Sequence, residues 1–338
     1  TAIITPFNGG AIDNEGLEAL VDFQIENGIS GILAVGTTGE SPVLTWDEHD
    51  RVVASIAKKT NGKCICLAGT GSNNTEESLK ASRHAVDVGA DALLLVDPYY
   101  NGPSSLEIRR EYVAPIANAF PNVQVIPYVI PGRTGAQLLP EDLALLFKEF
   151  NNVGTVKEAT GNLENMKRTR ECCGPDFTIL SGDDGMTYKM MTDTAVNAAG
   201  VISVASNVTP GAVSRMVKLL EQGDATGAKA LLSALEPLFG LVTVNTKETT
   251  PYGEVVCRAR NPLAFKALMA ILGMPSGGCR QPLGKMTLNG IETVLSAART
   301  VQSNNPEIFK PVEDFFNVNI AERLENPEVW KDLHYKEY

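Results

Sequence analysis

The sequence predicts an α/β chain folded as a (β/α)8 TIM barrel with a C-terminal helical segment. Three observations predict it. Short apolar runs alternate with amphipathic helical stretches, eight such strand-helix pairs fit between Thr1 and Glu221, and the polar residues with chemical potential sit in the loops that follow the runs. Alternation with short connections means parallel strands, and eight units in this length favour closure into a barrel over an open sheet. In a barrel the catalytic groups collect at the carboxyl ends of the strands.

Ala2-Ile3-Ile4-Thr5 opens the chain as a strand. Asp13 caps a helix with Leu17, Leu20, Val21, Gln24 and Ile25 at helical spacing, and Asn27-Gly28 stops it. Gly31 to Val35 is a short strand; after the loop Gly36-Thr37-Thr38-Gly39-Glu40-Ser41, Thr45-Trp46-Asp47-Glu48 has the form of a capping box and opens a helix through Val52, Val53 and Ile56. The unit then repeats. Strands are predicted at Cys64 to Ala68, Ala92 to Val96, Gln124 to Tyr128, Val153 to Lys157, Thr178 to Ser181 and Gly200 to Val204. Their helices follow at Asn74 to Val88, Ser104 to Ala119, after Pro140, from Asn162, near Met186 to Val196, and at Pro210 to Glu221.

Beyond Gly223 the pattern reads as helices only, at Ala228 to Leu238, Pro262 to Leu272 and Asn289 to Val301. From Asn304 a tail carries Phe315, Phe316, Trp330 and Tyr335, aromatics that argue for docking on the body or on a partner subunit. The expected division is a barrel over 1–222, a helical domain over 223–303 and an extension over 304–338.

Composition narrows the function. With 43% hydrophobic and 20% charged residues and no apolar run judged long enough to span a bilayer, the chain reads as globular, and its net charge of −11 argues against nucleic acid and against an anionic membrane surface. The first residue lies inside a strand, so any targeting segment falls outside this sequence. Six cysteines form no C-x-x-C or Cys/His set, which points to reduced thiols in a cytoplasmic setting and to no metal site. The glycine loop at 36–39 lacks the lysine of a P-loop, so it does not read as a nucleotide site.

Lys157 is the centre of the reading. It stands at the carboxyl end of the apolar run Val153-Gly154-Thr155-Val156-Lys157, sharing a strand face with Thr155, and Thr160-Gly161-Asn162 supplies the turn that follows. If that face lines the barrel interior, the ammonium loses solvation, its pKa falls and a free amine can attack a carbonyl; the plainer alternative is a strand-end lysine reaching back to water. Thr37 and Thr38 offer hydroxyls and backbone N–H groups to a small anion, Tyr99, Tyr100 and Tyr128 can relay protons, and Arg133 presents a fork that fits a carboxylate. Gly182-Asp183-Asp184 reads as helix capping rather than as a metal site, and His84 and His334 have no nucleophile nearby in sequence.

The stretches Gly36-Thr37-Thr38-Gly39-Glu40-Ser41, Pro98-Tyr99-Tyr100-Asn101, Tyr128 to Gly135 and Val156 to Asn162 resemble the motifs of the dihydrodipicolinate synthase / N-acetylneuraminate lyase family, the pyruvate-dependent class I aldolases. The likeness runs in order from Thr1 to about Val301. It implies a Schiff base between Lys157 and pyruvate, an enamine that attacks the aldehyde of L-aspartate semialdehyde, and no cofactor beyond the covalent substrate. It further implies a proton relay of Thr37, Tyr128 and Tyr100, the last reaching across a tight dimer. Thr38 would hold the pyruvate carboxylate and Arg133 the semialdehyde carboxylate, with Gly182 and Ile202 also touching substrate. An L-lysine effector would sit on Ser41, Pro42, Trp46, His49, Asn73, Glu77 and Tyr99 in a homodimer or homotetramer.

Two features depart from the family. Val129-Ile130 stands where Asn-Val is usual, and Pro127 removes a ladder donor beside Tyr128, so a local irregularity is expected there. Two other functions compete: a sister lyase acting on a sugar acid or other aldehyde, against which Arg133 argues, and an idle binding paralogue, against which the full set of Lys157, Tyr128, Thr37 and Tyr100 argues.

Overall fold

In the computed structural model, which describes residues 1–338, seven parallel strands run in sequence order: Gly31–Ala34, Ile65–Gly69, Ala92–Val96, Gln124–Val129, Thr155–Glu158, Thr178–Ser181 and Gly200–Val201. The amino-terminal segment closes the ring. The Ala2 N–H donates to the Ser203 carbonyl at 2.8 Å on one side, and the Leu33 N–H donates to the Thr1 carbonyl at 2.7 Å on the other. The opening segment thus takes the eighth place of the barrel, as a single parallel bridge from Ala2 to Leu33 rather than as a full strand.

Side-chain alternation sorts the strands into two layers. Ala2, Leu33, Ala92, Leu94, Ile126, Tyr128 and Ile202 form the inner cluster. Ile32, Leu93, Leu95, Val125, Val129, Val156 and Ile179 belong to the larger cluster shared with the helices. Lys157 follows Val156, so it faces the interior, and its register neighbours are Tyr128 on one strand and Leu180 on the other.

Helix starts fall where the caps predict them: Asp13, Thr45 with a full capping box, Asn74 and Asn162 all accept from backbone N–H groups of their first turns. The segment after Ser104 differs from a plain helix, with a π-helical stretch over Ile108–Val113 between the α-helical pieces Ser105–Glu107 and Ala114–Ala119. Tyr112 of that stretch is buried; its hydroxyl donates to the Val96 carbonyl and accepts from the Ser72 N–H, both at 3.1 Å. Two barrel loops are tied together by one phenol.

Pro127 leaves its strand continuous, but it does thin the ladder toward Lys157. Val125 N–H reaches the Asn152 carbonyl at 2.8 Å, and strand pairing resumes only at Tyr128 with Lys157, because Pro127 between them has no N–H to donate.

Three readings are corrected, one in the barrel and two in the carboxyl-terminal part. The segment is not helical throughout: Thr243–Thr250 and Gly253–Arg260 form an antiparallel hairpin with Thr243 opposite Arg260. The 18-residue run Ala225–Val242 is, by length and composition, apolar enough to cross a membrane, contrary to the sequence reading. In the fold its helix ends at Phe239, and Ala228, Leu235, Leu238 and Phe239 are buried in the core. Third, the helix expected near Met186 to Val196 covers only Thr187–Thr192. The tail docks on the body, with Phe315 and Phe316 ring centroids 5.4 and 5.3 Å from Phe23. Arg323 donates to the Ile271 and Ala270 carbonyls, 2.8 and 3.0 Å away, and satisfies the end of the helix Leu263–Leu272. All six cysteines are free.

Candidate active site

At the carboxyl ends of the strands lies a cleft of about 270 Å³ lined by Thr37, Thr38, Tyr128, Arg133, Lys157, Gly182, Asp184, Arg260 and Asn261, among others. Lys157 is buried, its Nζ 4.1 Å from the centroid of the Tyr128 ring. Burial drives its ammonium down to about 7, Asp184 acting against the fall and Arg133 adding to it. Near neutrality a substantial fraction of this lysine is therefore the free amine, the nucleophilic form. Burial pushes the Tyr128 phenol up to about 12, against the pull of Arg133 and of the Thr37 hydroxyl, so it keeps its proton for donation.

Gly182 is required beside the lysine. A Cβ there would lie 2.8 Å from Ala159 Cβ and 3.2 Å from both Cγ and Cε of Lys157, so only hydrogen leaves the amine its position. The neighbouring aspartates correct the capping reading, since the helix Thr187–Thr192 has no side-chain cap. Asp183 Oδ1 closes the turn ahead of it, accepting from Gly185 and Met186 at 2.9 and 3.3 Å. Asp184 instead turns inward and accepts from Val204 and Ala205 at 2.9 and 3.1 Å, leaving Oδ1 buried without a partner. Burial raises its carboxyl, with the donors from Ser203, Ala205 and Val204 opposing. Ile202 stands away from the cleft: it lines a separate hollow of about 540 Å³ that also holds Thr155 and the starts of several strands, while Val204 borders the cleft.

The loop after the first inner strand is held from three sides. Val35 and Glu40, neither a glycine, adopt positive φ of 46° and 60° around the short 3-10 turn Thr37–Gly39. Thr5 Oγ1 donates to the Gly39 carbonyl at 2.8 Å, and Asn261 Nδ2 donates to Thr38 Oγ1 at 2.9 Å. Below them a fully buried ion pair joins Glu40 Oε1 to Lys266 Nζ at 2.6 Å; Lys266 also donates to the Thr5 carbonyl at 2.9 Å and lies 4.2 Å over the Phe7 ring. Such a pair is retained at the cost of desolvating both charges, and here it fixes the helix Leu263–Leu272 to the threonine loop.

Arg133 sits in the short helix Pro131–Thr134 with its Nη2 donating to the Asn261 carbonyl at 3.3 Å. Arg260, Asn261 and Lys266 were not singled out from the sequence, and Asp184 was read only as a cap. They come from the helix-to-barrel junction or from a turn that reads as a cap, and only Arg260-Asn261 had a usable signal, the Thr250-Pro251-Tyr252-Gly253 turn between β-branched runs.

A second hollow of about 190 Å³ shares Thr37, Tyr128 and Arg133 with the cleft and extends to Ser41, Pro42 and Tyr99. Around it, Asn73 Oδ1 accepts from Tyr99 N–H at 2.6 Å, and His49 Nε2 faces the Gly69 carbonyl at 2.9 Å. Trp46 packs edge-on against His49 with centroids 5.1 Å apart. Glu77 accepts from Ser72 Oγ and has no capping role, since Asn74 alone caps that helix. Tyr100 lies outside both hollows and is 84% exposed.

A closed parallel barrel with a desolvated amine over a protonated phenol, flanked by hydroxyls and a guanidinium, defines a Schiff-base-forming lyase of the TIM-barrel class. The profile of the dihydrodipicolinate synthetase family matches residues 1–300. A 4-hydroxy-tetrahydrodipicolinate synthase from Methanococcus vannielii is 38% identical over 300 residues, 89% of this chain and 96% of the relative. Among solved structures, dihydrodipicolinate synthase from Aquifex aeolicus superposes with a TM-score of 0.81 at 34% identity, over 92% of this chain and 98% of its own. The enzyme from Cyanidioschyzon merolae, solved with lysine bound, gives 0.80 at 33%, over 89% and 96%. The chain belongs to the dihydrodipicolinate synthetase family.

Proposed function

We propose that this chain condenses pyruvate with L-aspartate semialdehyde to 4-hydroxy-tetrahydrodipicolinate, the lyase-type reaction for which its relatives are named. The observation that carries the reading is the buried Lys157 amine over Tyr128. The amine adds to the pyruvate carbonyl and water leaves, giving a Schiff base on Lys157. Loss of a methyl proton makes an enamine, whose carbon attacks the aldehyde. The amino group of the semialdehyde then adds to the imine carbon and expels the lysine, so the enzyme ends as it began. Pyruvate is itself the covalent group, and the cycle calls on no cofactor.

In this reading Tyr128, Thr37 and Tyr100 relay the protons, Thr38 holds the pyruvate carboxylate, Arg133 holds the semialdehyde carboxylate, and Gly182 shapes the pocket. The exposure of Tyr100 away from its own cleft supports its service to a neighbouring subunit in a homodimer or homotetramer. Arg133 in the cleft favours the semialdehyde over a sugar acid. Borohydride added with pyruvate traps one adduct, on Lys157, and Lys157→Ala abolishes it; peptide mass spectrometry that finds the adduct on another lysine refutes the mechanism.

L-lysine is the proposed effector, at Ser41, Pro42, Trp46, His49, Asn73, Glu77 and Tyr99. The shared walls of the two hollows support a path from that site to Thr37 and Tyr128. Pyruvate turnover falls with millimolar L-lysine and escapes inhibition in Glu77→Ala; equal inhibition of both proteins removes this site.

A further inference from the structure

The cleft is lined by two guanidiniums that make no ion pair: its acids, Asp183 and Asp184, accept instead from backbone N–H groups of Gly185, Met186, Val204 and Ala205. Arg260 closes the hairpin Thr243–Thr250/Gly253–Arg260 opposite Thr243 and lines the same cleft as Lys157, Thr38 and Arg133. The two arginines clasp each other's segments. Arg260 Nη1 donates to the carbonyl of Gly132 at 3.1 Å, the residue before Arg133, and Arg133 Nη2 donates to the carbonyl of Asn261 at 3.3 Å, the residue after Arg260. Each of these planar forks has five N–H donors and spends one on the protein. The arginine ion pairs of this protein are all elsewhere, on Arg109, Arg168, Arg280 and Arg299. Two like charges held on one rim, neither of them in an ion pair, form a site for an anion, and planar forks match a carboxylate.

We propose that Arg260 is a second substrate-binding arginine, so that the carboxylate of the aldehyde substrate is gripped by Arg133 from the barrel and Arg260 from the hairpin together. The inference rests on the pyruvate and semialdehyde reading above. It gives the hairpin a purpose: its register sets Arg260 at the cleft, and the next residue, Asn261, orients the Thr38 hydroxyl. Burial and the nearby Arg260 charge both act to lower the Arg133 guanidinium, as expected for two cations sharing a rim.

The test compares wild type with Arg260→Gln. In the variant, borohydride trapping with pyruvate alone and the KM for pyruvate stay at wild-type values, while the KM for L-aspartate semialdehyde rises about tenfold, the loss of one charge-assisted hydrogen bond. The semialdehyde KM of wild type rises with sodium chloride, and Arg260→Gln shows a shallower rise, because one of two charges is gone. A semialdehyde KM within about twofold of wild type, or a larger KM with an unchanged salt slope, overturns the proposal, the second result marking Arg260 as a prop for the Arg133 loop. Wild-type protein that traps pyruvate but ignores the semialdehyde overturns the substrate reading together with this one. A failure confined to the variant comparison leaves that reading in place.

Discussion

The Nζ of Lys157 lies 4.1 Å from the centroid of the Tyr128 ring, across paired positions of adjacent parallel strands. Strand register alone brings the two together, and the closed barrel removes the water that would keep the ammonium charged. With the ammonium lowered to about 7, Schiff-base formation depends on the free amine and its rate falls about tenfold for each pH unit below that value. The rate of borohydride-trapped adduct against pH reports the midpoint; a midpoint above about 9 removes desolvation as the source of the nucleophile.

Gly182→Ala places a methyl group against Cγ and Cε of Lys157. The trapping rate is expected to drop by about tenfold or more, as the amine leaves its attack geometry. Thermal unfolding close to wild type shows the fold intact, and trapping at the wild-type rate contradicts the packing account.

Arg133→Ala raises the KM for the semialdehyde about tenfold or more, for loss of a charge-assisted hydrogen bond worth about 1.5 to 3 kcal/mol, and leaves that for pyruvate near wild type. Equal effects on the two substrates refute the assignment of Arg133 to the semialdehyde.

Glu40→Gln strips the counter-charge from Lys266, whose side chain is fully buried. The expected loss is about 3 to 5 kcal/mol in urea unfolding, because a lone ammonium stays in the core. A loss below about 1 kcal/mol shows that the pair does not anchor the threonine loop.

Asp97 is buried, with Oδ2 accepting from Leu138 N–H at 3.0 Å and Oδ1 unpartnered. Burial raises its carboxyl from 3.8 to about 7, with Leu138 opposing and Glu158 adding. A folded value above the unfolded one means the native state holds the proton longer. This group's contribution is therefore complete below the unfolded value and is lost as pH climbs to about 7, at up to about 1.4 kcal/mol per unit. Asp97→Asn flattens that slope and is more stable than wild type at pH 8; urea midpoints that run parallel across pH 4 to 8 contradict it.

The strand order, the caps at Asp13, Thr45, Asn74 and Asn162, and the loops bearing Thr37, Tyr128, Arg133 and Lys157 were legible because each rests on local signals: apolar runs, capping residues and glycine turns. The hairpin was missed although Thr250-Pro251-Tyr252-Gly253 marks its turn. Thr243–Thr250 has Val244 as its only apolar residue, and in Gly253–Arg260 the apolar residues Val255, Val256 and Cys257 are consecutive, so no alternating core-facing stripe announced the strands.

Chemistry in the chain order was thus determined by the sequence: a barrel, an amine at the end of its Lys157 strand, and hydroxyl, phenol and guanidinium groups in the loops that follow strands. Tertiary structure alone decided which distant residues meet them. Asn261 reaches Thr38 across 223 positions and Lys266 reaches Glu40 across 226. Asp184 turns from a helix cap to the backbone of Val204, and Arg260 is carried to the Arg133 loop by a hairpin. The reason is physical: caps and strand faces are set by neighbours within a turn or two, whereas pairing of buried charges and polar groups is set by which surfaces the folded chain excludes from water.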